Sequence, residues 1–400
     1  MPGTPVVRRW IGPANGRYDD PDNWSPAGVP ARGDDVILLA GAQPVAIHVP
    51  ARSIASGATM TTIGEGGPVS LLLDGNLRNA GEIRASFGTL DINVGTGLRL
   101  VNTGSIAAVP GIGNAYVTVT LDADSTFRNA GAIHADAGPV GGLMGTVSVL
   151  GVGRFVNTGT ILADGGTFAL TFDGSAHNRG NLVASGASGS ATVSIGTTFG
   201  TTSHYINSGS IMAADGAHIV MRGLPALETR YGDVTNRGMI HADGGHIEID
   251  GNLHQTRSGR VLIEHGGSVT LDRAGDGTIE IRQGMLEFGG FGRAPFGPYG
   301  ASGFDGTVAF IGETGAIGFS GVPVVETFRP ISDTLAELLV GFADGRTLPD
   351  GSAVLARIQL AGQYDADQFR TVGDTIVYAA HPDQTQPNVS AVMAENQALA

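Results

Sequence analysis

The sequence predicts an all-β chain wound as a parallel β-helix solenoid, right-handed in sense, with an N-terminal cap motif and a small mixed C-terminal capping region. Three observations predict it. A short phrase, "FVNTGTILADGG" over Phe155–Gly166, returns along the chain. Its Asn falls at Asn79, Asn102, Asn129, Asn157, Asn178, Asn207 and Asn236, with gaps of 23, 27, 28, 21, 29 and 29 residues, and a period in the twenties marks a solenoid. The flanking residues alternate with period 2, as strands do, and not with the 3.6 of a helix. Gly supplies 64 of 400 residues, as many tight bends require.

Within each repeat the positions have separate jobs. Residue −2 from the Asn is Leu77, Leu100, Phe127, Phe155, Ala176, Tyr205 or Val234, and residue +4 is always Ile or Leu. Both share the parity of the Asn, so all three point inward. Coils of a stacked β structure lie ~4.8 Å apart, so equivalent Asn side chains are expected to hydrogen-bond along the stack in a ladder. A buried amide is tolerated only when paired. Gly81, Gly104, Gly131, Gly159, Gly180, Gly209 and Gly238 follow at +2 and are expected to serve bends that need positive φ.

In chain order, residues 1–50 form the N-terminal cap, with both Trp residues of the chain in "WIGPANGRYDDPDNWSPAGVPARGDD". Residues 51–320 are coils of 21–29 residues. The later ones lack the Asn: "GRVLIEHGGSVTL", "GTIEIRQGMLEFGG" and "TVAFIGETGAIGF". Between the last two, Gly290 to Gly306 reads as a loop rich in Gly, Pro and aromatics. Residues 321–380 form the capping region: Ile331, Leu335, Leu338, Leu339 and Phe342 have helical spacing behind Ser332 or Asp333 as N-cap, and later segments read as strands. An open coil end exposes unpaired backbone, so a cap is expected. Residues 381–400 read as a loose polar tail.

Composition narrows the function. There is no Cys, so disulfides, zinc thiolates and thiol nucleophiles are excluded. All 23 basic residues are Arg, which excludes Schiff-base chemistry and a Walker-type loop. The net charge of −14 argues against nucleic acid, and no uninterrupted apolar window reaches the ~18 residues of a transmembrane helix. The start, "MPGTPVVRRWIG", holds no hydrophobic signal core. Either a signal has been removed, or export uses another signal, or the protein stays inside.

Trp10, Gly12, Asn23-Trp24-Ser25, Gly28, Pro30 and Gly33-Asp34, together with the "F-x-N-x-G-x-I-x-A" units, resemble bacterial secreted β-helix proteins, the autotransporter-passenger-like and filamentous-haemagglutinin-like adhesins. Ile358–Tyr378 is similar to a C-terminal module of large exported repeat proteins. The resemblance implies secretion or surface display, adhesion and matrix building, without membrane insertion. The expected function is an exported structural or adhesive rod whose partner is itself, by head-to-tail assembly into a filament or layer, or a surface carbohydrate. The alternative is a carbohydrate-active β-helix enzyme of lyase or tailspike type. No translocator barrel and no "GGxGxD" calcium repeat is present in the sequence.

Candidate site residues are few. Asp19, Asp20 and Asp22, with Asp34 and Asp35 nearby, have the oxygen ligands calcium takes, although a solvated acidic turn beside Pro21 accounts for them more simply. Asp136, Asp164 and Asp243 end their strands and read as turn aspartates before Gly. His134 shares a strand face with Asp136, and His241 with Asp243. Stacking is expected to bring His241, His246 and His265 within reach of one another as a metal site, with exposed surface histidines as the plainer account. No catalytic set is assigned and no cofactor beyond calcium is expected. The expected binding loop carries Phe291, Arg293, Phe296 and Tyr299, because irregular loops on a rigid frame commonly hold function.

Overall fold

The computed structural model describes residues 6–31, 33–40, 43–54, 57–64, 67–139, 142–197, 204–222, 233–271, 275–289, 304–347 and 353–381. The chain divides into two compact units, one drawn from Met1–Tyr205 and the other from Ile206–Gly223 with Tyr231–Ala400. Both are parallel β-helices built from the same three-strand coil.

In the first unit a coil begins with the Asn-bearing strand, as in Arg99–Asn102, Thr126–Asn129 and Arg154–Asn157. It turns into a second strand, Ser105–Ala108, Ala132–Asp136 or Thr160–Asp164, and then a third, Ala115–Leu121, Gly145–Gly151 or Thr167–Phe172. Equivalent strands pair in parallel, giving three sheets that we call III, I and II in that order. Register is exact in sheet III, where Asn79, Asn102, Asn129, Asn157 and Asn178 are successive partners. Sheet I aligns Ile83, Ile106, Ile133, Ile161 and Leu182 in the same way. These aliphatics are fully buried, and burying each contributes about 1.5–3 kcal/mol.

The ladder is present. Each Asn Nδ2 donates to the Oδ1 of the next: Asn79 to Asn102 at 2.8 Å, Asn102 to Asn129 at 2.7 Å, Asn129 to Asn157 at 2.8 Å and Asn157 to Asn178 at 2.8 Å. The second amide hydrogen goes to a backbone carbonyl of the neighbouring coil, as from Asn79 to Ser105 O at 2.8 Å. The Oδ1 also accepts from the backbone of the +2 Gly, at 3.1 Å in Gly81 and 3.2 Å in Gly159.

The +2 glycines are needed for a different reason from the one the sequence suggested. None of the seven has positive φ. A Cβ at Gly104, Gly131, Gly159 or Gly180 would lie 2.0 Å from the carbonyl oxygen of the equivalent Gly one coil back. The bend stacks backbone directly on backbone, and any side chain would push the coils apart.

The second unit keeps the coil but shortens sheet III. Asn207 Nδ2 donates to Asn236 Oδ1 at 2.9 Å, and Asn236 Nδ2 to Gln255 Oε1 at 3.4 Å. Gln255 then donates to Thr278 O at 3.2 Å, so a longer amide continues the ladder. Beyond Asn252–Gln255, sheet III is reduced to single bridges, Leu253 to Gly275 and Gly275 to Phe304. Sheets I and II continue through Thr307–Phe310 and Thr314–Gly318, as the sequence predicted.

The predicted C-terminal helix is a strand pair. Val324–Ser332 and Leu335–Phe342 pair antiparallel, and Leu335–Phe342 pairs antiparallel with Val354–Ala361. Ala336, Leu338 and Val340 are the buried apolar residues, with Glu337 buried on the other face, while Ile331 is 47% exposed, so the working period of the apolar core is 2. The i, i+3, i+4 match arose because apolar residues stand on both faces of this strand. The hairpin of Phe369–Val372 and Thr375–Ala379 closes sheet II antiparallel, with Ala316 opposite Val377. Its aromatics Phe369 and Tyr378 pack around Phe310.

Candidate functional site

At the N-terminus the motif residues build a plug. Trp10, Tyr18 and Trp24 are buried, with edge contacts of 5.1 Å between Trp10 and Trp24 and 4.8 Å between Tyr18 and Trp24. Trp24 Nε1 donates to Tyr18 O. Gly12 and Gly16 leave room for Trp10 and Asn23, which a Cβ would meet at 2.6 and 2.8 Å. Burial lifts the Tyr18 phenol to about 12, against the opposing pull of Arg52, whose guanidinium lies 4.0 Å over the ring.

The acidic candidates of this region have local partners. Asp19 is paired with Arg17 at 2.9 Å, and Asp20 accepts from the Asp22 amide to cap the short turn Pro21–Asn23. Asp34 accepts from Arg8 Nε at 2.9 Å and from the Ala31 and Val6 amides. Burial alone would raise the Asp34 carboxyl, but these donors outweigh it and hold it below the ordinary range. Asp35 accepts from both the backbone and the hydroxyl of Thr59. The loop residues Phe291, Arg293, Phe296 and Tyr299 lie outside the described residues.

The histidines divide between two faces, correcting the expected His241, His246 and His265 grouping. Asp243, Gly244 and Gly245 turn the chain from sheet I to sheet II, with Gly244 at φ +70, and this bend separates His241 from His246. On sheet I, His241 Nε2 lies 2.8 Å from Glu264 Oε1, Arg282 NH1 is 2.9 Å from Glu264 Oε2, and His265 Nδ1 is 2.5 Å from Asp243 Oδ1. The hydrogen bond that His265 donates to Asp243 raises its pKa. Beside them the buried Glu280 takes both arms of Arg260, at 3.0 and 2.6 Å. On sheet II, His218 and His246 are register partners with ring centroids 4.8 Å apart. His218 Nε2 lies 3.7 Å from Glu248 Oε2, and Arg222 lies 3.5 Å from Glu248 Oε1. Each of these carboxylates already has a cation beside it.

Sequence reasoning missed a face of the first unit. Outward positions of sheet III carry Arg78, Arg99, Arg128, Arg154 and, just past the strand, Arg179, one in each successive coil and all exposed. Arg78 and Arg128 share one column with Val101 between them, and Arg99 and Arg154 share the neighbouring column across Thr126. The positive charges therefore stagger along the stack, repeating every two coils, ~10 Å. Among the described residues, the guanidinium groups of Arg78, Arg99, Arg128 and Arg154 make no hydrogen bond or salt bridge. Asp74, Asp122, Asp124 and Asp173 stand in the bends before these strands, and Asp91, Asp136 and Asp164 lie on the other two sheets. At one end of this row a groove of about 490 Å³ is lined by Arg52, Ser53, Asn76, Arg78, Arg99 and Val101. The signal was present in "LRN", "LRLVN", "FRN" and "RFVN", but net charge averaged it away.

No protein-family model, curated protein or solved structure matches this chain.

Proposed function

We propose that this is an exported structural or adhesive protein of the bacterial surface, whose stacked coils hold an arginine face against an acidic surface polysaccharide. The observation that carries the reading is the row Arg78, Arg99, Arg128, Arg154 on one face of a chain with net charge −14. These cations lie within about a Debye length of one another and have no anion of their own, so a polyanion laid along the stack relieves their repulsion. Guanidinium suits carboxylate and sulfate because it binds them bidentately. The ladder supports the same reading: rigid coils fix the charge spacing in advance, so little ordering is needed on binding. The resemblance to secreted adhesins points the same way, with head-to-tail assembly as a further mode of use.

Retention on immobilised heparin and on polygalacturonate tests this. The expected result is binding that weakens steeply with salt and is lost in an Arg99→Glu, Arg128→Glu double variant that folds normally. Equal binding to a neutral dextran, or unchanged retention of the double variant, would refute it. Duplex DNA bound as tightly as either polysaccharide would reassign the face to nucleic acid. The enzymatic alternative has less support, since Glu264, Glu280 and Glu248 are each neutralised by Arg.

A further inference from the structure

We propose that His218, His246 and Glu248 form a divalent transition-metal site, zinc in the first instance, that clips two neighbouring coils of the second unit together. Their donor atoms all lie within 4.8 Å of one another. Two imidazoles and a carboxylate are a ligand set zinc takes with a fourth position left for water. The strands that supply them, His218–Arg222 and His246–Asp250, are adjacent in sheet II, so register alone stacks one imidazole over the other.

Three further observations point to a ligand. His218 Nε2 is buried and has no hydrogen-bond partner, though the rest of its side chain is partly exposed. An unsatisfied buried nitrogen costs free energy that coordination would remove. His246 is fixed through Nδ1, 2.7 Å from Ser268 Oγ, which leaves its other nitrogen open. Glu248 is held from outside by Arg222 at Oε1, and its Oε2 faces His218. Each of the two fixed ligands thus has an outer partner of the kind that orients metal ligands. Coordination at about 2.0–2.1 Å needs these donors to close by small side-chain rotations, which their partly exposed positions permit.

The neighbouring set on sheet I, His241, Asp243 and Glu264, also lies within 4.8 Å and serves as the internal control. There His241 Nε2 is already satisfied by Glu264, and Glu264 by Arg282. A metal would have to break the 2.8 Å His241–Glu264 contact, whereas His218 Nε2 has no such bond to give up.

The test is zinc titration of the full chain after chelator treatment, followed by calorimetry, thermal unfolding and zinc X-ray absorption. The expected result is one ion per chain, a first shell containing two imidazole nitrogens, and a midpoint that rises as zinc is added. His246→Gln and Glu248→Gln should lose the ion, Ser268→Ala should weaken it by about 10-fold, and His241→Gln should bind as the parent does. Failure of the parent chain to bind zinc at micromolar concentration would overturn the proposal. So would an absorption spectrum with fewer than two imidazoles, or loss of binding in His241→Gln with retention in Glu248→Gln. The absorption measurement uses the parent chain and decides even if a variant does not fold.

Discussion

The outer surface of the first unit differs from that of the second although both repeat one coil. On sheet II of the first unit, a single outward column runs Thr89, Tyr116, Thr146, Thr167, Thr192. The corresponding face of the second unit runs His218, His246, Ser268, Met285 beside Val220, Glu248, Thr270, Glu287. The ladders differ in parallel: five asparagines in register in the first unit, two and a Gln255 in the second. Where the amide ladder is long, this column of sheet II is neutral, and the exposed arginines stand on sheet III instead. Where it is short, ion pairs between coils, such as Arg260–Glu280 and Arg282–Glu264, take over cross-coil bonding. Interior hydrogen bonds and exterior charge are alternative ways of fixing the same stacking.

The largest effect should come from the stacked bends. Gly131→Ala places a methyl 2.0 Å from the Gly104 carbonyl oxygen and should cost about 3 kcal/mol or more. Gly97→Ala in the same unit meets nothing within 4 Å and carries only the strain of φ +72, about 1 kcal/mol. Urea unfolding of the two variants reads the difference; equal losses would mean the bend can relax.

Next comes the ladder. Asn157→Ala leaves Asn129 Nδ2 and Asn178 Oδ1 without their shared partner in the interior and should cost about 1–3 kcal/mol. Gln255→Ala should cost less, about 1 kcal/mol, because its contact with Asn236 Nδ2 is long, 3.4 Å against 2.8 Å on either side of Asn157, and Gln255 is only half-buried. If Gln255→Ala proves the costlier of the two, the contrast between long and short ladders is wrong.

The ion pairs should rank third. Arg260→Ala strips both donors from Glu280, which is 3% exposed. Because Arg260 itself is half exposed and water can reach in, the expected cost is about 1–2 kcal/mol, read by thermal unfolding at low and high salt. Arg154→Ala, on the first unit's arginine face, should change stability by less than about 0.5 kcal/mol.

The smallest effects are in pH and have opposite sign in the two units. Asp34 is held below the ordinary carboxylate range. Its contribution is present above the unfolded value of about 3.9 and is lost as pH falls through the folded value. His265 is raised by Asp243. Its contribution is full below about 6.5 and disappears as pH rises through the higher folded value. Asp34→Asn should flatten the acid limb alone, and His265→Gln the limb above about pH 6.5 alone, in melts across pH. A reversed pattern would contradict the assignments.

The coil could be read from sequence because the Asn, the −2 apolar residue and the +4 aliphatic repeat at fixed offsets, and each offset has one physical meaning. The N-terminal cap was legible from its motif, but the part Tyr18 plays in packing Trp10 and Trp24 was not, because nothing repeats there to fix its parity. The strand pair over residues 324–342 was not, because Leu335, Leu338 and Leu339 fit two periods and only the partner strand chooses between them. The two His clusters depend on which bend residue redirects the chain, and Gly244 gives no such direction by its identity. Gln255 escaped notice because the ladder continues through a different amide at a shorter interval. The arginine face escaped notice because the inward parity was followed and the outward parity was not.

The bend between sheets I and II varies in length while the stack stays in register. It takes two residues at Gly165–Gly166, six at Val109–Asn114 and eight at Ala137–Met144, between strands of unchanged pairing. The paired strands of the three sheets set the pitch, so the length of this corner is free to vary. In engineering terms it is an insertion port: a foreign peptide spliced between Gly138 and Leu143, inside the bonds that Ala137 and Met144 make to the neighbouring coils, would be displayed at a fixed height on the stack.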